Sequence, residues 1–184
     1  RFTADYILEK KVNLKKEISV IITRFQNGTK SIYESIENTH ENQILKHSKI
    51  PADISDKIRD ECLESSKKIS DQLDYVGTMC VEYFIDQNDN LLVNEIAPRV
   101  HNSGHLTIGA FNISQFENHI RAVCDLKCIK IEKLYNAEMT NVLGKEIEEY
   151  RNKSFAWPDH FYDYGKKEIK DKRKMGHITK ILKR

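Results

Sequence analysis

The sequence predicts an α+β fold: antiparallel strands with covering helices on one side. Three observations carry this. Two apolar stretches alternate on either side of Asn27-Gly28, a strong hairpin turn signal. A second pair, Thr78 to Ile85 and Leu91 to Ile96, is joined by Gln, Asn and Asp. Between them, Ile54, Ile58, Cys62, Ile69 and Leu73 fall on one stripe of an otherwise charged segment, the pattern of a surface helix.

Taken in order, Tyr6 to Leu8 reads as a short strand. Glu17 to Phe25 is a strand with Ile18, Val20 and Ile22 on one face, and Thr29 to Ile36 is its return. Glu37 to Gln43 is a polar loop, and the helix covers Ile54 to Leu73. After the second hairpin, Ala97 to Gly109 is a loop rich in His, Asn, Ser and Gly. Ile113 to Cys124 is a helix with Ile113, Phe116, Ile120 and Val123 at core spacing. Met139 to Leu143, Phe161 to Tyr164 and Lys174 to Ile181 are further strands, with a soft boundary near residues 125–130.

The 184 residues suffice for one domain with a small appendage. With 39% apolar and 32% charged residues the chain is a globular composition and not a disordered one. A net charge of +2 gives no electrostatic reason to expect nucleic acid or an acidic membrane, although residues 166–184 are locally basic. No run is apolar enough to span a bilayer. Cys62, Cys80, Cys124 and Cys128 fall at no zinc-finger spacing and read as reduced thiols of a cytoplasmic protein. The opening residues lack Met and read as the middle of a domain.

The second hairpin carries the chemistry. If Asn88-Asp89 is a two-residue turn, counting back sets Glu82 opposite Glu95, side chains together on one face. Paired carboxylates repel, and a divalent cation such as magnesium relieves the repulsion. Two solvated glutamates are the bland alternative. Asn94 adds a neighbouring oxygen, and the following Ala97-Pro98-Arg99-Val100-His101-Asn102-Ser103-Gly104-His105 is dense in anion-recognising groups. A zinc site using His101 and His105 is a rival. His47, His119 and His160 read as structural.

The run from Val81 to His105 closely resembles the 5-(carboxyamino)imidazole ribonucleotide synthase family of ATP-grasp enzymes, in which Asn-Glu-x-Ala-Pro-Arg followed by His-Asn-Ser-Gly-His is highly specific. The resemblance extends along nearly the whole chain. It implies the C-terminal half of an ATP-grasp fold over residues 1–127 and a small β-rich C-terminal domain over 128–184. It implies ATP held by Glu9, Lys10, Lys11, Val12, Glu17, His40, Asn94 and Glu95, and magnesium held by Glu82 and Glu95. Arg99, His101 and Asn102 would hold bicarbonate and carboxyphosphate. Lys166 and Arg173 would hold the phosphate of 5-aminoimidazole ribonucleotide. A cytoplasmic homodimer is implied as well. The family's glycine-rich phosphate-covering loop and N-terminal Rossmann-like domain have no match here, so this stretch alone is expected to lack ligase activity. Another ATP-grasp ligase, or a non-catalytic nucleotide-binding or dimerisation module, are the alternatives.

Overall fold

Among the described residues every strand joins a single sheet, and the buried middle strand explains why. In β1 (Leu14–Arg24), Ile18, Val20 and Ile22 point to one face, while Ser19, Ile21 and Thr23 point to the other and are equally buried. The computed structural model describes residues 7–182. Its strands run β6-β5-β1-β3-β4-β7-β9-β8, with β2 (Lys30–Ile32) pairing β1 off that path.

The first hairpin forms as expected, closed by Phe25 N–H donating to Thr29 and by Gly28 at φ 80°. Its returning strand is shorter than the pattern suggested. Only Lys30–Ile32 pairs there, and the chain then crosses to β3 (Ile36–Glu41), which hydrogen-bonds to the lower part of β1. Residues read as a polar loop are thus mostly strand. A two-residue turn at Asn42 and Gln43, both at positive φ, leads into β4 (Ile44–Ile50). The polarity of β3 reflects what its side chains face, not an absence of structure. Of the proposed strand at Tyr6 to Leu8, Tyr6 lies outside the described residues, and Ile7 and Leu8 are exposed irregular chain.

Helix α1 (Asp56–Leu73) begins at Ser55, whose hydroxyl accepts from Ile58 N–H at 3.4 Å. It packs Ile58 and Cys62 against Ile18, Val20, Ile22, Met79, Val81, Tyr83 and Ile85. β5 (Gly77–Asp86) and β6 (Leu91–Ala97) form the second hairpin. On the sheet's opposite face lie a 3-10 turn (Asn102–Leu106), the kinked turn α2 (Thr107–Ala110) and α3 (Gln115–Val123), over a core of Ile21, Cys80, Leu106, Ala110, Phe111 and Met139. Helices therefore cover both faces, not one.

Helix α3 inverts its sequence reading. Phe116, Ile120 and Val123 are solvent-facing, while Gln115, Asn118 and Ala122 are buried. The buried Asn118 amide nitrogen donates to Thr23 Oγ1 at 3.2 Å and Ser31 Oγ at 2.8 Å, while its Oδ1 is left without a partner. Gln115 grips the backbone of His101, accepting at 3.0 Å and donating at 2.6 Å. A Cβ at Gly104 would lie 2.5 Å from Gln115 Oε1, so this approach demands glycine there.

The C-terminal part is β7 (Asn136–Leu143), α4 (Glu146–Arg151), β8 (Asp159–Asp163) and β9 (Lys174–Leu182). β7 pairs with β4, from His47 opposite Thr140 to Ile50 opposite Ala137, so one sheet takes strands from both sides of residues 125–130. Among the described residues no helix is long and apolar enough to cross a membrane.

The inversion of α3 has a measurable consequence. Asn118→Ala strands hydroxyls in the sheet interface and is expected to cost about 1–3 kcal/mol, whereas Ile120→Ser is expected to stay within about 0.5 kcal/mol. Urea unfolding of both variants checks this; the reverse order would contradict the packing described.

Candidate functional site

The carboxylate pair forms, by a route different from the one counted from the sequence. The β5–β6 turn has three residues, Gln87 to Asp89, with Asp86 N–H donating to Asn90 O at 3.1 Å and Asp89 at φ 60°. This register sets Ile85 opposite Leu91 and Tyr83 opposite Val93. A β-bulge then inserts one residue into β6, and beyond it Glu82 stands opposite Glu95. The longer turn and the bulge offset each other by one residue. The bulge also leaves Asn94 free to hydrogen-bond Glu82.

Glu82, Asn94 and Glu95 open into a cavity of about 380 Å³, which Glu17, His40, His101 and Lys174 also line. His40 Nδ1 makes a short contact with Glu17 Oε2, and this partner raises the pKa of His40. Burial raises the pKa of Glu82, and the nearby charge of Glu95 adds to it. Burial lowers the pKa of Lys174, partly opposed by Glu82. His101 Nε2 lies 3.1 Å from Glu82 Oε1, yet its pKa is pushed down to about 4, by burial first and then by Arg99 and Lys174. At neutral pH this contact is therefore a hydrogen bond of a neutral imidazole and not an ion pair.

A buried polar layer fixes His101 from behind. Ser48 donates to Asn38 Oδ1 at 2.8 Å, and Asn38 Nδ2 donates to Ser19 Oγ at 2.9 Å. Ser19 Oγ lies 2.8 Å from Ser103 Oγ, which lies 2.9 Å from His101 Nδ1. The chain of contacts runs from β4 through β3 and β1 to the imidazole. This is why Ser19 and Asn38 are polar in the middle of a sheet.

The other sequence-derived residues are distributed unevenly. Asn102 is committed to structure, exchanging hydrogen bonds of 3.1 and 2.6 Å with Asn141, which in turn donates to Leu45 O. Arg99 is exposed and donates to Val100 O at 3.0 Å, while its charge reaches His101 and Lys174. His105 turns to the Tyr164 hydroxyl at 3.0 Å, which also meets His177 at 2.9 Å, so it does not pair with His101 around a zinc ion. Glu9 to Val12 are irregular chain. Lys10, Lys11 and Val12 border a separate depression of about 810 Å³ beside Gln87 and Asn90. His119 is structural, accepting from Thr78 N–H at 3.0 Å.

Of the two basic residues expected to hold phosphate, neither lines the cavity. Lys166 donates to Lys174 O and Arg173 to Glu168 O. Their neighbour Lys174 lines it instead. The Arg173-Lys174 pair was visible in the sequence, but which of the two faces inward depends on the direction of β9. Gln43, at the turn between β3 and β4, is a second lining residue that sequence reading did not single out.

The donor set suits a magnesium ion. Glu82 and Glu95 offer carboxylate oxygens in register, and burial, with the charge of Glu95 beside it, disfavours the ionised form of Glu82 that a cation would stabilise.

The family model for the ATP-grasp domain matches residues 2–116, and that for the phosphoribosylaminoimidazole carboxylase C-terminal domain matches residues 137–184. The chain belongs to the ATP-grasp family. Within it, the similarity is to N5-carboxyaminoimidazole ribonucleotide synthases. That of Staphylococcus aureus (strain MRSA252) is 46% identical over 179 residues, covering 96% of this chain and 47% of the relative. That of Bacillus subtilis (strain 168) is 44% identical over 174 residues, covering 94% and 46%. The crystal structure of the Staphylococcus aureus synthetase complexed with ADP superposes with a TM-score of 0.88 at 44% identity, over 95% of this chain and 48% of that one. The Aspergillus clavatus synthase in complex with ADP and 5-aminoimidazole ribonucleotide gives 0.87 at 31% identity, over 94% and 48%. The chain spans about half the length of the curated relatives it matches.

The strain at Glu82 has a defined pH signature. A raised carboxyl pKa stabilises the folded state fully below the unfolded value of 4.5, and that contribution is lost as pH rises through the folded pKa. Glu82→Gln removes this loss. Its Tm without added metal is expected to exceed the wild-type value at pH 7 and to converge with it near the unfolded pKa, as read by calorimetry across pH. A constant offset at all pH values would mean that Glu82 carries no such strain.

Proposed function

We propose that this chain forms part of the active site of an ATP-dependent carbon–nitrogen ligase. The reaction joins bicarbonate to 5-aminoimidazole ribonucleotide, giving N5-carboxyaminoimidazole ribonucleotide, ADP and phosphate in purine biosynthesis. One observation carries the reading: the in-register pair Glu82 and Glu95 opens into the same cavity as the Glu17–His40 pair and Lys174. Acidic groups for a metal and sugar hydroxyls thus face a cation suited to phosphate or carboxylate.

In this reading Glu17 takes the ribose hydroxyls of ATP, with His40 held beside it. Glu82 and Glu95 hold magnesium, which when bound neutralises the charge of the ATP phosphates. Bicarbonate attacks the γ-phosphorus through oxygen, ADP departs, and carboxyphosphate forms. His101, neutral and fixed by Ser103, presents a hydrogen bond to that anion, and Arg99 and Lys174 add positive potential. The amine of the ribonucleotide then takes the carboxyl group, and phosphate leaves. Lys166 and Arg173 serve the ribonucleotide phosphate from positions next to Lys174. Asn102 acts through Asn141, holding the loop in place. Lys10, Lys11 and Val12 border the adenine, with Glu9 before them. The resemblance to the synthases supports a cytoplasmic homodimer as the working form.

Because the 184 residues hold no glycine-rich phosphate-covering loop, the test reads affinity. Calorimetric titration with ADP is expected to show magnesium-dependent binding, weakened about tenfold or more in Glu82→Gln and Glu95→Gln, or roughly 1.4 kcal/mol. Titration with 5-aminoimidazole ribonucleotide is expected to weaken by about tenfold in Lys166→Ala and in Arg173→Ala, the scale of one charge-assisted hydrogen bond. ADP binding indifferent to both glutamates overturns the metal assignment. ADP binding with none for the ribonucleotide favours a different ATP-grasp substrate.

A further inference from the structure

One residue beside the carboxylate pair has no part in the chemistry above. Cys80 lies two residues before Glu82 on β5, so both side chains point to the same face. Opposite them on β1 stand Ile21 and Ser19. Cys80 is fully buried, behind the cavity wall that Glu82 and His101 form. Among the described residues, Cys80, Glu82 and His101 are the one set of three metal-ligating side chains whose donor atoms lie within 4.8 Å of one another.

We propose that Cys80, Glu82 and His101 form a binding site for a thiophilic divalent cation of the zinc or cadmium type, with a fourth position open to the cavity. Thiolate, carboxylate and imidazole are the donors that such an ion takes, at about 2.0–2.3 Å for zinc in a tetrahedral arrangement. Magnesium is indifferent to two of them, since it takes oxygen. The charges suit a closed pocket: one thiolate and one carboxylate balance the ion's two positive charges.

The surroundings are those of a supported metal site. His101 Nδ1 lies 2.9 Å from Ser103 Oγ. In the metal-free ring Nδ1 accepts from Ser103 N–H at 3.4 Å and Nε2 faces Glu82; binding through Nε2 moves the ring proton to Nδ1, where it donates to Ser103 Oγ and orients the ligand. Burial pushes the Cys80 thiol up, so the thiolate forms only as the ion displaces its proton, and the neighbouring Ser103 and Ser19 hydroxyls partly oppose that shift. Binding replaces the S–H bond by an S–metal bond, and the proton passes to solvent; no electron is transferred. An ion held there takes Glu82 away from Glu95. That corollary, mutual exclusion with magnesium, rests on the reading of the preceding subsection, whereas the site itself does not.

Cadmium titration of the 184-residue chain tests it. The exposed Cys124 and half-buried Cys128 are first changed to serine. Without magnesium, a thiolate-to-cadmium charge-transfer band is expected to saturate at one equivalent. Cys80→Ser is expected to abolish it, and Glu82→Gln and His101→Gln each to weaken binding at least about tenfold. Circular dichroism establishes that each variant is folded, and Cys80→Ala replaces Cys80→Ser if that one is not. No saturable band, a band that survives loss of Cys80, or unchanged affinity in both other variants overturns the site. A saturating band with magnesium-dependent ADP binding undisturbed supports the site and counts against the Glu82–Glu95 assignment.

Discussion

Two carboxylates held opposite each other across one strand pair set the terms for everything around them. Like charges in register on adjacent strands destabilise a sheet, and burial of Glu82 adds a desolvation cost. The bulge in β6 is what creates the confrontation, since without its extra residue Glu82 would face Asn94. Bulges commonly re-aim side chains beside active sites. Here the bulge also presents Asn94 as a hydrogen-bond partner that partly relieves Glu82.

The cost is tolerated because the scaffold beneath is over-determined. β1 is covered on both faces, by α1 on one side and by the 3-10 turn and α3 on the other. The α1 face is held by apolar packing. The other is partly a polar layer, in which Ser48, Asn38, Ser19 and Ser103 form one chain of contacts and Thr78, Thr23 and Asn118 a second. Such a network is directional in a way that apolar packing is not, and it leaves little freedom for the His101 ring at its end. Gln115, Gly104 and the His101 backbone complete the same fixing from α3.

The legible and illegible parts of this structure divide along that polar layer. Apolar period gave the strands β1, β5, β7 and β9 and the helix α1, because those elements bury aliphatic side chains, and gave β6 and β8 although β6 leaves Leu92, Val93 and Ile96 exposed and β8 buries its aromatic residues only in part. It misread β3 as a loop and gave α3 the wrong face, because Asn38, Gln115 and Asn118 are buried through hydrogen bonds, which no hydropathy pattern records. β4 and α4 went unassigned; β4 alternates Leu45, Ser48 and Ile50 with Lys46, His47 and Lys49, so its buried positions look weak. In the site, the Glu82–Glu95 pairing was legible, but only through two compensating one-residue errors in the turn and the ladder. Lys174 was indistinguishable from Arg173 without strand direction. Cys80 gave no motif signal, since its relation to His101 is made entirely by folding.

The electrostatics of the cavity follow from this arrangement. Burial disfavours charge on both sides, raising the pKa of Glu82 and lowering that of Lys174. The two attract each other without neutralising the site, because Glu95 and Arg99 each add a further charge of the same sign as their neighbour. A ligand that brings a cation to the carboxylates and an anion to the lysine relieves both costs at once. A lone cation or a lone anion relieves only one. On the proposed function, the scaffold thus favours a metal-bound polyanion before any contact specific to a base or a sugar is made.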